Sequence, residues 1–184
     1  MSIQLDKVQP KNRIQLEQLI DYAFKHHIYD LNFIDTSKIT DMSNLFANCE
    51  YNIDVSNWDV SNVTNMYNMF YKCKTFNCDL SNWNVSNVTD MYSMFIACEN
   101  FKGKGLENWN VSKVKDIGDM FAGCENFNCD LSDWDMSNVT DMGYAFIDCE
   151  KFKGKGLENW NVINVTSMRH MFDGCNKLTI PDWY

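Results

Sequence analysis

The chain has 184 residues, enough for one domain, and its 45% hydrophobic and 14% aromatic content excludes a disordered protein. A formal net charge of −9 argues against a nucleic-acid partner and against attraction to an anionic membrane surface. Because no run of about 18 apolar residues is present, we expect no membrane insertion. No signal-peptide pattern is visible near the start, so we expect the sequence as given to be cytoplasmic.

Residues 1–28 do not share the pattern of the rest, and they are predicted to form an N-terminal helical cap. Pro10 suits the start of a helix, and apolar residues follow at helical spacing from Ile14 to Phe24. A stack of repeats exposes an apolar end, which must be covered for solubility. We therefore expect the helix to cover the first repeat.

From residue 29 to residue 176 the sequence repeats every 24–26 residues, in about six copies. The unit reads L-x-x-W-x-V-x-x-V-x-x-M-x-x-M-F-x-x-C-x-x-F, and a longer period is visible in FKGKGLENWNV at 101–111 and again at 152–162. A fixed period of this size indicates a solenoid, in which each repeat buries its apolar face against its neighbours. Residues 177–184 are a truncated C-terminal repeat of the same single domain.

Within each repeat the sequence predicts a short strand followed by one or two helical turns. Trp83 and Val85 alternate with polar residues, which is typical of a half-buried strand. Met91, Met94 and Phe95 are spaced i, i+3 and i+4, which places them on one face of a helix. The predicted fold class is therefore an α/β solenoid, with a parallel β-sheet on one face and short helices on the other.

Six of the eight cysteines occupy one position in six successive repeats, which favours a column of reduced, buried thiols over disulfides or zinc. Cys78 and Cys129 lie outside this column and are candidates for reactive, exposed thiols. A catalytic pair of Cys175 and His170 is conceivable, but a core role for Cys175 outweighs it. We expect no enzymatic activity, no catalytic residue, no cofactor and no metal.

The best candidates for a binding surface are the polar residues on either side of each tryptophan. They would form two neighbouring columns on the outward face of the predicted strands. Stacked side chains could hydrogen-bond along each column and stabilise the solenoid, they could bind a partner, or they could do both. The ten candidates are Asn57, Asp59, Asn82, Asn84, Asn108, Asn110, Asp133, Asp135, Asn159 and Asn161.

The repeat resembles the BspA-type leucine-rich repeats of bacterial surface proteins, which carry an A-F-x-x-C-x-x-L segment. Ala145, Phe146 and Cys149 match that segment, and WDVSNVTNM and WNVSNVTDM resemble the subclass found in mycoplasmas and in many gut and oral bacteria. The resemblance covers about residues 29–180 and implies a leucine-rich-repeat-like solenoid. It also implies display at the cell surface, with adhesion to or binding of host and bacterial proteins, so the localisation stays open between surface and cytoplasm.

These observations predict a non-enzymatic protein-binding module that uses the outward strand face, with a protein partner of unknown identity. The alternative is a structural repeat protein without an external ligand, which forms a homodimer through its C-terminal end at Trp183 and Tyr184.

Overall fold

The computed structural model describes residues 6–184, so the first five residues of the predicted cap lie outside the described residues. Within the described part, regular secondary structure is limited to one α-helix, α1 (Arg13–Lys25), and two 3-10 helices, Leu106–Asn108 and Leu157–Asn159. The remaining chain passes through turns and bends, and isolated parallel bridges join single residues of successive repeats. We call each repeat a coil.

Helix α1 covers the first coil. It begins after Asn12, whose Oδ1 accepts a hydrogen bond of 3.0 Å from the Gln15 N–H and so satisfies one of the free donors at the helix start. Leu16, Ile20 and Ala23 are buried in the hydrophobic core that runs through the coils.

The predicted parallel β-sheet is wrong. Residues 6–184 contain no continuous strand, and their parallel pairing is confined to isolated bridges. Trp83 and Val85 are buried, but the Trp83 N–H bonds to the Leu80 carbonyl within the same coil, at 3.0 Å. A strand would instead bond to a neighbouring strand along its length. The alternation of buried and exposed residues therefore reflects turns on either side of the tryptophan.

The predicted short helices are also wrong. Met91, Met94 and Phe95 are fully buried, but the Phe95 N–H bonds to the Met120 carbonyl of the next coil, at 2.9 Å. Ser93 has a φ of 57° and Ala97 a φ of 53°, which a right-handed helix does not allow. Spacings of three and four residues are produced here by consecutive turns.

Five of the six three-residue steps of the repeat unit are turns; in the remaining step, from Val88 to Met91, the Met91 N–H bonds to the Asp116 carbonyl of the next coil at 3.3 Å. In each turn, the N–H of the later apolar residue bonds to the carbonyl of the earlier one, as in a hydrogen-bonded β-turn. The chain therefore returns to the core after every turn, with the first and last turn residues facing inward. In one coil these bonds, 2.9–3.2 Å long, join Leu80 to Trp83, Val85 to Val88, Met91 to Met94, Phe95 to Cys98 and Cys98 to Phe101.

The coils stack through backbone hydrogen bonds that have a common direction. At each of five junctions, four N–H groups of one coil donate to four carbonyls of the next coil. The N–H of the residue that follows the second valine, a threonine at four junctions and Lys115 at the other, donates back to the preceding coil. At the first junction the four bonds are 2.7–3.0 Å long and run from Met42 to Asn65, Asn44 to Tyr67, Phe46 to Met69 and Asn48 to Tyr71.

Three columns of side chains join successive coils inside the stack. Phenylalanine rings stack in parallel, with centroids 5.5 Å apart between Phe70 and Phe95. Each of these fully buried rings contributes about 1.5–3 kcal/mol through burial. Every tryptophan indole of the repeats donates to a carbonyl of the preceding coil, as Trp134 does to Leu106 at 2.8 Å. Five S–H groups of the cysteine column do the same, from Cys73 onward, as Cys98 does to Phe70 at 3.0 Å.

Candidate functional site: the polar turn face

All ten predicted site residues are exposed, and the structure brings them together on either side of the tryptophan column. Because no strand is present, the surface they form is a polar turn face rather than a strand face. It has a first column, before each tryptophan, and a second column, after it. The first column is Asn57, Asn82, Asn108, Asp133 and Asn159, and the second is Asp59, Asn84, Asn110, Asp135 and Asn161.

The first column is stacked only at its start. Asn82 Nδ2 lies 3.4 Å from Asn57 Oδ1, and it also donates to the Ser56 carbonyl at 3.4 Å. Further along, the side chains of the last three members make no hydrogen bond within the described part of the chain, so their polar groups face solvent. These three are Asn108, Asp133 and Asn159.

The second column stabilises local turns. Each Oδ1 accepts the backbone N–H of the residue two positions later, as an Asx turn does. The distance is 3.2 Å from Asn84 to Ser86 and 3.0 Å from Asp135 to Ser137. Hydrogen bonds from the Ser137 side chain and backbone hold the pKa of Asp135 below its usual value. One oxygen of each member is therefore committed to the fold.

Sequence reasoning missed the asparagines and threonines that join one coil to the next. In N-V-T segments the asparagine side chain donates to a carbonyl of the preceding coil, as Asn87 does to Ser61 at 2.8 Å, and the threonine hydroxyl does so too, as Thr89 does to Thr64 at 3.1 Å. In the coil where lysine replaces this asparagine, Lys113 Nζ bonds to Asn87 Oδ1 at 2.7 Å. The recurrence of these asparagines and threonines is visible in the sequence, but the direction of their hydrogen bonds is not.

A second missed feature is a row of half-buried carboxylates at the bridges between coils. Asp90, Asp116 and Asp141 take equivalent positions in three successive coils. Burial raises the pKa of Asp116, and the Asp141 and Asp90 carboxylates add to this effect, while the Gly118 N–H opposes it. At the start of the row, Arg13 pairs with Asp41 at 3.2 Å.

Lysines cluster where the longer period repeats. Lys104 pairs with Asp79 at 2.6 Å and Lys155 with Asp130 at 2.5 Å, and these hydrogen bonds lower the pKa of both aspartates to about 2. Four other lysines have no ion pair among the described residues, and they line a shallow groove with two asparagines. The groove residues are Lys102, Asn126, Asn128, Lys151, Lys153 and Lys177.

A family described as "Mycoplasma protein of unknown function, DUF285" matches the chain twice, over residues 15–105 and 93–183. The two matches together span residues 15–183, which is most of the chain. The chain belongs to this family. No curated protein and no solved structure matches the DUF285 chain. The relation to BspA-type repeats stays a prediction.

Burial raises the pKa of every thiol in this DUF285 protein, which disfavours the nucleophilic thiolate. All eight cysteines are free, and burial raises the pKa of Cys73 to about 12. The expectation that Cys78 and Cys129 are exposed is wrong, because Cys78 is half-buried and Cys129 is buried. Burial is again the main cause that raises both pKa values to about 12, and the neighbouring carboxylates of Asp54 and Glu107 oppose ionisation as well.

The conceivable pair of Cys175 and His170 is not formed. The Cys175 S–H donates to the Phe146 carbonyl at 3.0 Å, whereas His170 Nδ1 lies 2.7 Å from Asp173 Oδ2. In residues 6–184, no cluster of three or more His, Cys, Asp or Glu side chains could hold a metal ion. None of the helices in that range is long and apolar enough to cross a membrane.

Proposed function

We propose that this DUF285 chain is a non-enzymatic protein-binding module and that its binding surface is the polar turn face. The observation that carries the proposal is the free state of Asn108, Asp133 and Asn159, which are exposed and make no side-chain hydrogen bond within the described residues. In the second column beside them, each Oδ1 already accepts a backbone N–H within a turn. The two columns therefore differ in the hydrogen-bonding groups that are left free for a partner.

The chemistry of the first column suits a polypeptide partner. An asparagine side chain carries two donors and an acceptor, and can therefore bond to both the N–H and the C=O of a peptide group. The column takes one residue from each of five coils, so it forms an extended surface of the kind that solenoids use for binding. Stacked coils also hold the backbone that carries these side chains in place before binding, which reduces the entropy lost on association.

The proposal is tested with arginine substitutions in the first column. The variant Asn82→Arg/Asn108→Arg/Asn159→Arg adds bulk and three positive charges where the fold makes little use of the side chains. A matched control makes the same change at Asn52, Asn100 and Asn176, which are exposed positions outside the polar turn face. Each purified protein is used to capture partners from source-cell lysate and from host-cell extract, after its thermal unfolding has been shown to match that of the wild type.

A partner that is retained by the wild type and the control, but lost by the first-column variant, supports the proposal. The extract that supplies it identifies the compartment in which the module works. If the first-column variant retains every protein that the control retains, the polar turn face is not the binding surface. In that case the first column either stabilises the fold or has no role.

A further inference from the structure

The shallow groove lined by lysines is a positive surface on a negative chain. Its four lysines make no ion pair among residues 6–184, although the chain as a whole carries a formal net charge of −9. Like charges that are held on neighbouring coils repel one another, so the fold gains nothing from this arrangement. We call it the lysine groove: Lys102, Asn126, Asn128, Lys151, Lys153 and Lys177.

The carboxylates of the two K-G-K-G segments are already used within the fold. In each segment, the second lysine pairs with an aspartate of the preceding coil, and the glutamate that follows accepts a glycine N–H. In the first segment, Lys104 Nζ lies 2.6 Å from Asp79 Oδ2, and Glu107 accepts the Gly105 N–H at 2.9 Å. The second segment repeats both contacts. The first lysine of each segment, which lines the groove, keeps an unpaired charge.

The side chains of the lysine groove offer hydrogen-bond donors, whereas their acceptors are in use. Asn126 Oδ1 accepts a hydrogen bond from Lys151 Nζ at 2.5 Å, and Asn128 Oδ1 accepts one from the Lys153 backbone N–H at 3.1 Å. The lysine ammonium groups and Asn128 Nδ2 remain as donors, and a lysine side chain has no acceptor. The groove therefore suits a ligand that carries oxygen acceptors and negative charge.

The spacing of the donors matches an extended polypeptide. Lys102, Asn128 and Lys153 take the same position in three successive coils, each directly after a buried phenylalanine. The rings of these phenylalanines have centroids 6.4 and 5.4 Å apart. Side chains on one face of an extended chain recur at every second residue, about 6.5–7 Å apart. A segment that runs along the stack with acidic residues at alternate positions therefore meets one donor in each coil.

Other polyanions fit the lysine groove less well. Its six lining residues include no aromatic ring on which a nucleic-acid base could stack. Charges are screened beyond about 8 Å at physiological ionic strength, so a short segment inside the groove interacts mainly with the lysines. A nucleic-acid duplex or an anionic membrane would extend over the rest of the negative surface. Glu125 and Glu150, which are exposed and each precede a lining residue, would add to the repulsion.

We propose that the lysine groove binds a short acidic segment of a partner polypeptide. The segment lies extended along the stack, with carboxylates of alternate residues on Lys102, Asn128 and Lys153, while Lys151 and Lys177 add positive charge. Exposed ion pairs are individually weak and are screened by salt, so the dissociation constant is roughly 10–300 µM at low salt. This surface shares no residue with the polar turn face, so the proposal goes beyond the proposed function and does not rest on it.

The test titrates the full chain into a fluorescently labelled ten-residue peptide in which serine and glutamate alternate, with anisotropy as the signal. Binding should be saturable at about 50 mM salt and should weaken at least about tenfold at about 300 mM salt. A second peptide has the same composition, with its glutamates in one block. It should bind at least about threefold more weakly, because its carboxylates do not recur at alternate positions on one face.

Two variants of equal net charge connect the binding to the groove. Glutamine replaces three lysines in each, so that an amide donor is kept and the charge is lost. The groove variant should bind at least about tenfold more weakly than the wild type, and the control variant should differ from it by less than about twofold. Thermal unfolding of both should match the wild type. The groove variant is Lys102→Gln/Lys151→Gln/Lys153→Gln. The control variant changes exposed lysines that make no ion pair among the described residues: Lys11→Gln/Lys38→Gln/Lys115→Gln.

Four outcomes would overturn the proposal. These are no saturable binding of the alternating peptide, equal weakening in the two variants, equal affinity for the block peptide, and tighter binding of a sulfated oligosaccharide or of oligothymidylate with the same number of charges. The second would make the effect one of net charge, and the last would make the occupant a polysaccharide or a nucleic acid. No residue of the polar turn face is changed in these experiments, so their failure is distinguishable from failure of the proposed function.

Discussion

The turn-to-turn packing of the coils can be tested at two glycines that differ mainly in how closely an added Cβ would approach the preceding coil. Both have a left-handed backbone, with a φ of 97° at Gly105 and 70° at Gly123. A Cβ at Gly105 would lie 2.2 Å from the backbone N of Ser81 in the preceding coil, far inside van der Waals contact. A Cβ at Gly123 would meet nothing closer than the Cα of Ala97, at 3.5 Å, which is an ordinary contact.

The two alanine variants should therefore lose different amounts of stability. For Gly123→Ala, the left-handed backbone costs about 1–2 kcal/mol, and the smaller entropy of the unfolded alanine chain returns about 0.4–1 kcal/mol, so the net loss is about 1 kcal/mol. Gly105→Ala has at least the same conformational cost, because a φ of 97° lies further from the left-handed region that alanine can occupy. It must also push apart two backbones that are held by hydrogen bonds, which adds about 1–3 kcal/mol, for a total near 3 kcal/mol.

The free energy of unfolding is measured by urea denaturation followed by tryptophan fluorescence, with the slope of each transition compared to establish that the variants unfold in the same way. Gly156→Ala is an independent repeat, because a Cβ there would lie 2.2 Å from the Ser132 backbone N. Equal losses for Gly105→Ala and Gly123→Ala would refute the close approach of the coils at Gly105. A loss at Gly156 unlike that at Gly105 would refute the equivalence of the two coils.

The other predictions concern charges, thiols and turns. Asp116→Asn should raise the free energy of unfolding at pH 7 by about 0.5 kcal/mol, because burial and the nearby Asp141 and Asp90 carboxylates disfavour the ionised form in the fold. The gain should vanish below about pH 3.9, where both the folded and the unfolded wild type are protonated. Asp135→Asn should lower the free energy of unfolding by a similar amount at pH 7, and this loss should disappear as the pH falls through the lowered pKa of Asp135. Urea titrations from pH 2 to 8 test the gain at Asp116 and the loss at Asp135. Iodoacetamide at pH 8 should label the six buried cysteines of the folded protein more than about 100-fold more slowly than the same cysteines in urea, as counted by mass spectrometry. Rapid labelling of a cysteine other than the half-buried Cys78 and Cys175 would contradict the burial of the thiols. Ala97→Gly should raise the midpoint of urea unfolding and add about 0.5–1 kcal/mol, since the wild-type alanine has a φ of 53°, and an unchanged or lower midpoint would argue against that backbone.

Which side chains are buried and which are exposed follows largely from the sequence alone. The period places equivalent residues in register, so the burial of Trp83, Phe95 and Cys98 and the exposure of Asn84 and Asn110 could be read from one repeat. Apolar residues that recur at a fixed period must be removed from water, and a stack of equivalent coils achieves this for all copies at once.

The local conformation could not be read in the same way. Met91, Met94 and Phe95 have a spacing that satisfies a helix and a series of turns equally well, because both bring every third or fourth residue to one side. The choice depends on where the N–H groups bond, and here the Phe95 N–H bonds to Met120, which lies 25 residues away. Ser93 and Ala97 give no signal of their left-handed backbone by themselves, since neither is glycine; only the glycine or asparagine at the equivalent positions of other coils, such as Gly123 and Asn68, indicates it.

In the candidate site, too, the sequence determined some features and the tertiary structure decided others. The sequence determined that Asn84 and Asn108 are both polar, exposed and adjacent to a tryptophan, but only the tertiary structure assigned one to a turn and left the other free. Likewise, the sequence determined that Thr89 and Asn87 recur, and the stacking of coils decided that both bond backwards. Composition and period determine which side chains share a column. The direction of each hydrogen bond is decided by the neighbouring coil, because its carbonyls compete with solvent and with the chain's own turns for every donor.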